Sequence, residues 1–229
     1  MRAFRSERAG YVAGLDATER EVLATIVADV AEMLGAGRFG SPSSTPTPDA
    51  RDAEDTQGAP DAVRSLLSLR ALPDVVPAPV DPAVHRLLPD ASDDDAELAA
   101  EFRRLTEGDL RRAKIERLRA LWRSLTGGPA GEPGEPDTDL LVRRDDAVDL
   151  AATLTDLRLV LPDRLGLESE EDSNALYDAL ERRDLGVQDP DRSAREVLQA
   201  EVREYLGSVY AALGWLQESL MAVLLADLP

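Results

Sequence analysis

Between Glu101 and Leu125 the chain places eight of its 26 Lys and Arg residues (Arg103, Arg104, Arg111, Arg112, Lys114, Arg117, Arg119, Arg123) against four acids, although the whole chain is formally −19. A basic stretch that opposes the global charge marks where a protein pairs internally or meets a partner. At about 100° per residue, Leu98, Phe102 and Leu105 share one helix face, whereas Ile115, Leu118, Leu121, Trp122 and Leu125 cluster on another. In the second half Arg111 and Lys114, the only lysine, fall toward the apolar side, and Arg112, Arg119 and Arg123 fall opposite. A lone buried cation is strongly destabilising, so a fold that buries this face must bring carboxylates to Arg111 and Lys114. Glu107, Asp156 and Glu218 are the candidates.

The apolar residues are chiefly Leu, Ala and Val and aromatics make up only 4% of 229 residues, which suits helix packing rather than a β-sandwich. The expected fold is all-α: one helical domain over residues 1–229, a bundle of about five principal helices with two disordered linkers, 35–60 and 127–139. With no cysteine, disulfides, thiolate nucleophiles, zinc–thiolate sites and thiol redox switches are excluded. The first residues, MRAFRSERAG, lack an apolar run of signal-peptide length, and Gln217, Glu218 and Asp227 interrupt the apolar C-terminal segments. A soluble cytoplasmic protein without a membrane role is expected. Its acidity disfavours nonspecific contact with DNA or anionic lipid.

Along the chain, residues 1–14 read as an extended arm or hairpin. Thr18 and Glu21 match a capping box for a helix that carries Val22, Leu23, Ile26, Val27, Val30, Met33 and Leu34 and stops at Gly35. A short helix is expected over 61–72, and Asp81-Pro82 starts another that ends at Leu88-Pro89. Ser92 with Asp95 caps the basic region, and Thr106 with Asp109, near Gly108, predicts a kink or a second helix start. Asp145 and Asp146 open an apolar helix that Pro162 stops. A weaker helical segment covers 172–183, and Ser193 with Glu196 caps a last helix that runs to about Ala226.

Three blocks, Asp81 to Lys114, Leu154 to Leu167 and Val209 to Leu224 (VYAALGWLQESLMAVL), together resemble an actinomycete domain-of-unknown-function family that includes AosR-type oxidative-stress regulators. The resemblance implies transcriptional regulation in redox homeostasis through a sigma factor of RNA polymerase. It also implies, for the AosR-type branch, redox sensing by a cysteine pair. This chain has no cysteine to oxidise, so that switch is excluded here.

The residues are read accordingly. Glu101, Arg104, Glu107, Arg111, Lys114, Asp156, Arg158 and Arg164 form a candidate structural ion-pair network. Arg112, Arg119 and Arg123 form a candidate partner-binding face, for an acidic protein surface or, with weaker support, DNA phosphate. Trp215, Leu216 and Gln217 are read as core, with an interface as the alternative; His85 is read as a surface or capping residue. No catalytic residue, metal ligand or cofactor is expected. The function expected is a non-enzymatic regulator working through protein contacts, with a homo-oligomer left open. The rival is a small-molecule-binding or hydrolytic helical protein that uses the inward charges.

Overall fold

The computed structural model of the chain describes residues 1–39, 76–127, 139–184 and 194–228. Among them are β1 (Arg2–Glu7), β2 (Gly10–Gly14), α1 (Ala17–Met33), α2 (Pro82–Leu87), α3 (Ala96–Thr126), β3 (Asp139–Val142), α4 (Ala147–Leu165), α5 (Glu170–Asp184) and α6 (Ala194–Ala226). The fold is mainly helical, with one small sheet. The helix expected over 61–72, both linkers apart from residues 35–39, 127 and 139, and the Ser193 cap lie outside the described residues.

The N-terminal hairpin pairs Glu7 with Gly10 and Arg5 with Val12, with an irregularity between Arg2 and Arg5. β3 joins the other side of β2, Tyr11 opposite Val142 and Gly14 opposite Asp139, giving the order β1-β2-β3. The central strand β2 is buried along its whole length. β3 was not expected: four residues, DLLV, beside a Gly- and Pro-rich stretch are too short to show a period, and only the partner strand makes them a strand.

Helix ends correct several expectations. α1 is capped by Asp16, not Thr18: the Asp16 carboxylate accepts from Glu19 N–H at 2.8 Å and the Glu19 carboxylate accepts from Asp16 N–H at 2.9 Å. Both pairs fit the capping pattern, and the end of β2 at Gly14 selects the earlier. α3 is one uninterrupted helix capped by Asp95, which accepts from Leu98 N–H at 2.9 Å. There is no second start at Thr106, whose hydroxyl instead donates to the Phe102 carbonyl at 2.8 Å. α4 runs through Pro162 to Leu165 and ends at Gly166, whose φ of 64° is a left-handed cap that glycine adopts without strain. Pro162 removes one donor near the end of the helix, too late to stop it.

The core joins Leu23, Val27 and Val30 of α1, Leu118, Leu121 and Leu125 of α3, Leu150, Leu154 and Leu157 of α4, and Leu213, Leu216 and Leu220 of α6 to the inner face of the sheet. α1 lies on α3, α4 on α6, α2 on α4, and β1 on α6. α5 rests on α6 through a smaller cluster of Leu165, Leu167 and Leu176. Among the described residues one stretch, Glu201–Ala226, is long and apolar enough to cross a membrane, with mean hydropathy 1.4. It also supplies the core residues of α6.

Candidate functional site

The basic helix α3 is a brace before it is anything else. Lys114 and Arg117 lie three positions apart, so both face α4, and both reach Asp156. Lys114 Nζ donates to one carboxylate oxygen at 2.5 Å and Arg117 Nη2 to the other at 3.3 Å. Lys114 is 9% and Asp156 5% exposed, so the pair works in a medium that screens it little.

One to three turns earlier a second chain of charges ties α3 to its other neighbours. Arg111 donates to Glu107 at 2.6 Å and to the Leu34 carbonyl, at the end of α1, at 3.1 Å. Arg103 contacts the other Glu107 oxygen at 3.6 Å, donates to the Val76 carbonyl at 3.2 Å, and pairs with Asp90. Asp90 in turn meets His85 Nε2 at 3.3 Å. The half-exposed His85 is thus a bridge between α2 and the loop before α3.

The remaining expected network residues sit elsewhere. Arg164 donates to Asp81 at 2.5 Å, which links α4 to the cap of α2 and holds the Asp81 carboxyl below the usual carboxylate range. Arg158 donates to Gln217 at 2.8 Å and lies over the Tyr210 ring at 5.6 Å, joining α4 to α6 without a carboxylate. Glu101 and Arg104 form a surface pair within α3, with contacts of 2.7 and 2.9 Å, and Arg104 lowers the Glu101 pKa. The eight residues therefore form separate braces, not one network.

On the expected partner face, Arg112 is exposed and paired with Asp109 at 2.6 Å, and Arg123 is exposed. Arg119 departs from that face. It is half-buried over the Phe39 ring at 5.3 Å, and Phe39 packs on Trp122 at 5.6 Å, because the chain leaving α1 crosses back over α3.

The family model described as Domain of unknown function (DUF2017) matches residues 1–224. The chain belongs to the DUF2017 family. No curated protein and no solved structure matches it.

In this DUF2017 chain three features escape a reading of the sequence. Arg20 caps α3 from another helix, donating to the carbonyls of Ser124 at 2.7 Å, Leu125 at 3.0 Å and Gly127 at 3.2 Å. Arg144 pairs with Asp227, whose carboxylate also accepts from the Tyr11 hydroxyl at 3.0 Å, so the sheet holds the end of α6. Both are long-range pairs that no spacing announces. The third is surface shape. Trp215, Leu216 and Gln217 separate into an exposed ring, a core residue and the Arg158 partner. A groove of about 570 Å³ opens beside Trp215, between α1 and α6. A second cleft of about 510 Å³, between α3, β3 and α4, is lined by Glu116, Arg117, Arg143 and Asp149 among apolar side chains. Among the described residues no group of three or more His, Asp or Glu is arranged to hold a metal ion.

Proposed function

We propose that the protein is a non-enzymatic cytoplasmic regulator that acts by docking to another protein, like the AosR-type regulators its sequence blocks resemble, and without a cysteine switch. One observation carries the reading: large apolar side chains stand exposed along two long helices. They are Leu98, Phe102 and Leu105 on α3 and Val202, Tyr205, Trp215 and Met221 on α6. Leu98, Phe102 and Leu105 share one face of α3, and an exposed apolar stripe of this kind marks a protein-binding surface. The buried carboxylate of Asp156 is meanwhile engaged as a brace, one oxygen with Lys114 and the other with Arg117.

A sigma factor of RNA polymerase is the partner the resemblance implies. The exposed Arg112 and Arg123 supply a polar margin for an acidic surface and DNA remains the weaker expectation. Co-purification with a panel of purified sigma factors and core RNA polymerase tests the proposal. The expected result is a complex that Arg112→Glu with Arg123→Glu weakens and that added salt weakens further, with the fold unchanged. No complex with any of them would overturn it. A small-molecule or hydrolytic role is the second reading, favoured by the cleft beside Arg117, and turnover or saturable binding blocked by Leu150→Trp in that cleft would establish it.

A further inference from the structure

The cleft between α3, β3 and α4 holds a cation in excess of the acids within ion-pair distance. Lys114 and Arg117 share the single carboxylate of Asp156, so the brace carries one uncompensated positive charge, and among the described residues no other acid pairs with either. Lys114 takes the closer contact, at 2.5 Å. Arg117 keeps one hydrogen bond, from Nη2 to Asp156 at 3.3 Å, and its Nε is buried without a partner. A guanidinium has five N–H donors, and one held away from bulk water gains from each acceptor that reaches it. The Arg117 side chain is 25% exposed and lines the cleft, so such an acceptor comes from there.

The space beside it suits a small molecule. Ala113, Arg117, Ala120 and Ser124 recur every three or four positions, so the α3 wall runs about 16 Å. Its alanines leave the cleft open, and the buried Leu121, Leu140 and Leu150 give it an apolar floor. A cavity of about 510 Å³ with an apolar floor and few converging polar groups has the size and character of a small-molecule site.

The rim sets the ligand's total charge. Arg143 and the acids Glu116, Asp146 and Asp149 line the cleft as exposed side chains, without ion pairs among the described residues. Water and salt screen exposed charges, so a single negative charge is drawn to the less exposed Arg117. A phosphate or a nucleotide brings more than one, against a lining with more acids than arginines and a chain at −19.

We propose that this cleft binds a small amphipathic monocarboxylate, its carboxylate on the Arg117 guanidinium and its apolar body on Leu121, Leu140 and Leu150. The proposal rests on the second reading given above, a small-molecule role for this cleft, and adds the chemistry that the cleft selects.

Three probes share one apolar body and differ in charge: 4-phenylbutyrate, 4-phenylbutylamine and 4-phenylbutanol. Titration calorimetry with the full chain is expected to show saturable binding of the acid, with the alcohol and the amine weaker by about tenfold, or 1.4 kcal/mol. Arg117→Met should bring the acid down to the alcohol and leave the alcohol's own affinity unchanged, which loss of the fold could not do; Lys114 still pairs with Asp156 in that variant. Ala120→Phe, at an exposed position in the lining, should weaken every probe by filling the cleft. The amino acid 2-amino-4-phenylbutyrate separates two sources of such a ligand: tighter binding than the plain acid assigns an amino acid with its ammonium near the rim acids, and weaker binding assigns a simple carboxylic acid. Equal affinity for acid and alcohol, or a preference that survives Arg117→Met, overturns the proposal and leaves the small-molecule reading standing. Tightest binding of the amine does the same, because the rim acids then govern the site. No saturable binding of any probe up to about 10 mM overturns both.

Discussion

α3 and α6 are nearly equal in length, 31 and 33 residues, and opposite in character. α3 is the charged helix and yet buries Glu107 and Lys114; α6 is the apolar one and yet exposes Val202, Tyr205, Trp215 and Met221. Position explains the inversion. α3 packs on α1 and α4 on different sides, so polar side chains on those sides must find partners or destabilise the fold. α6 packs on α4, α5 and β1 and has a remaining face open, so its apolar residues there are free for a contact from outside. Residue type says what a position can tolerate. The neighbours decide whether it is inside.

The strongest way to break this comparison is Asp156→Ala. It leaves Lys114 and Arg117 without their shared carboxylate, and removing one member of a buried pair typically costs about 3–5 kcal/mol. At roughly 2–4 °C per kcal/mol for a domain of this size, the thermal midpoint should fall by about 10 °C. Lys114→Ala should cost less, because Arg117 still reaches Asp156. Lys114→Met and Arg117→Met combined with Asp156→Leu should recover most of the loss, since an apolar set of similar volume needs no compensation. An unchanged midpoint for Asp156→Ala would show that α3 is not an interior helix.

Next in size is Gly10→Ala, which tests the sheet. Gly10 has φ +150°, and a Cβ placed there would lie 2.1 Å from the Val142 carbonyl oxygen, so β3 must move away from β2. A loss of about 1–3 kcal/mol is expected from chemical denaturation. Full stability would mean that β3 is not seated as the structure has it.

These two sites also show what was legible in the sequence. Helix α3 and the inward side of Lys114 follow from a 3.6-residue period, because each helix writes its burial into its own spacing. Asp156 could be named only as one of three candidates for that lysine, since pairing across 42 residues leaves no local trace. The partners of Arg117 and Arg103 across α4 and the loop before α3 leave no local trace for the same reason. The period of α3 places Arg119 on the open face, because nothing in α3 announces that Phe39 comes back to cover it. The strand β3, the Asp16 cap and the continuation through Pro162 each depend on a neighbour that local pattern does not contain.

A smaller effect separates the two ends of α6 by pH. Arg144, and after it the Tyr11 hydroxyl, holds the Asp227 carboxyl below its ordinary range. The native value is depressed, so the contribution to stability is complete above the unfolded value of about 3.9 and disappears as pH falls through the native one. Asp227→Asn should therefore be slightly less stable than wild type near pH 7, and the gap should close below about pH 4. A gap that persists at low pH would mean that Asp227 contributes by shape or packing rather than by charge.

The smallest expected change in stability is also the most informative about the open face of α6. Trp215→Ser removes a half-exposed ring whose immediate neighbour, Leu216, is core. Substitutions at such positions usually shift stability by less than about 1 kcal/mol, so the thermal midpoint should move by only a few degrees. Partner binding should fall far more, because aromatic side chains at the centre of a contact carry a large share of its energy. The pairing of the two results is what matters. A large loss of stability would place Trp215 in the core and remove the contrast between α3 and α6, and unchanged binding to an otherwise competent partner would leave that face of α6 without a role in docking.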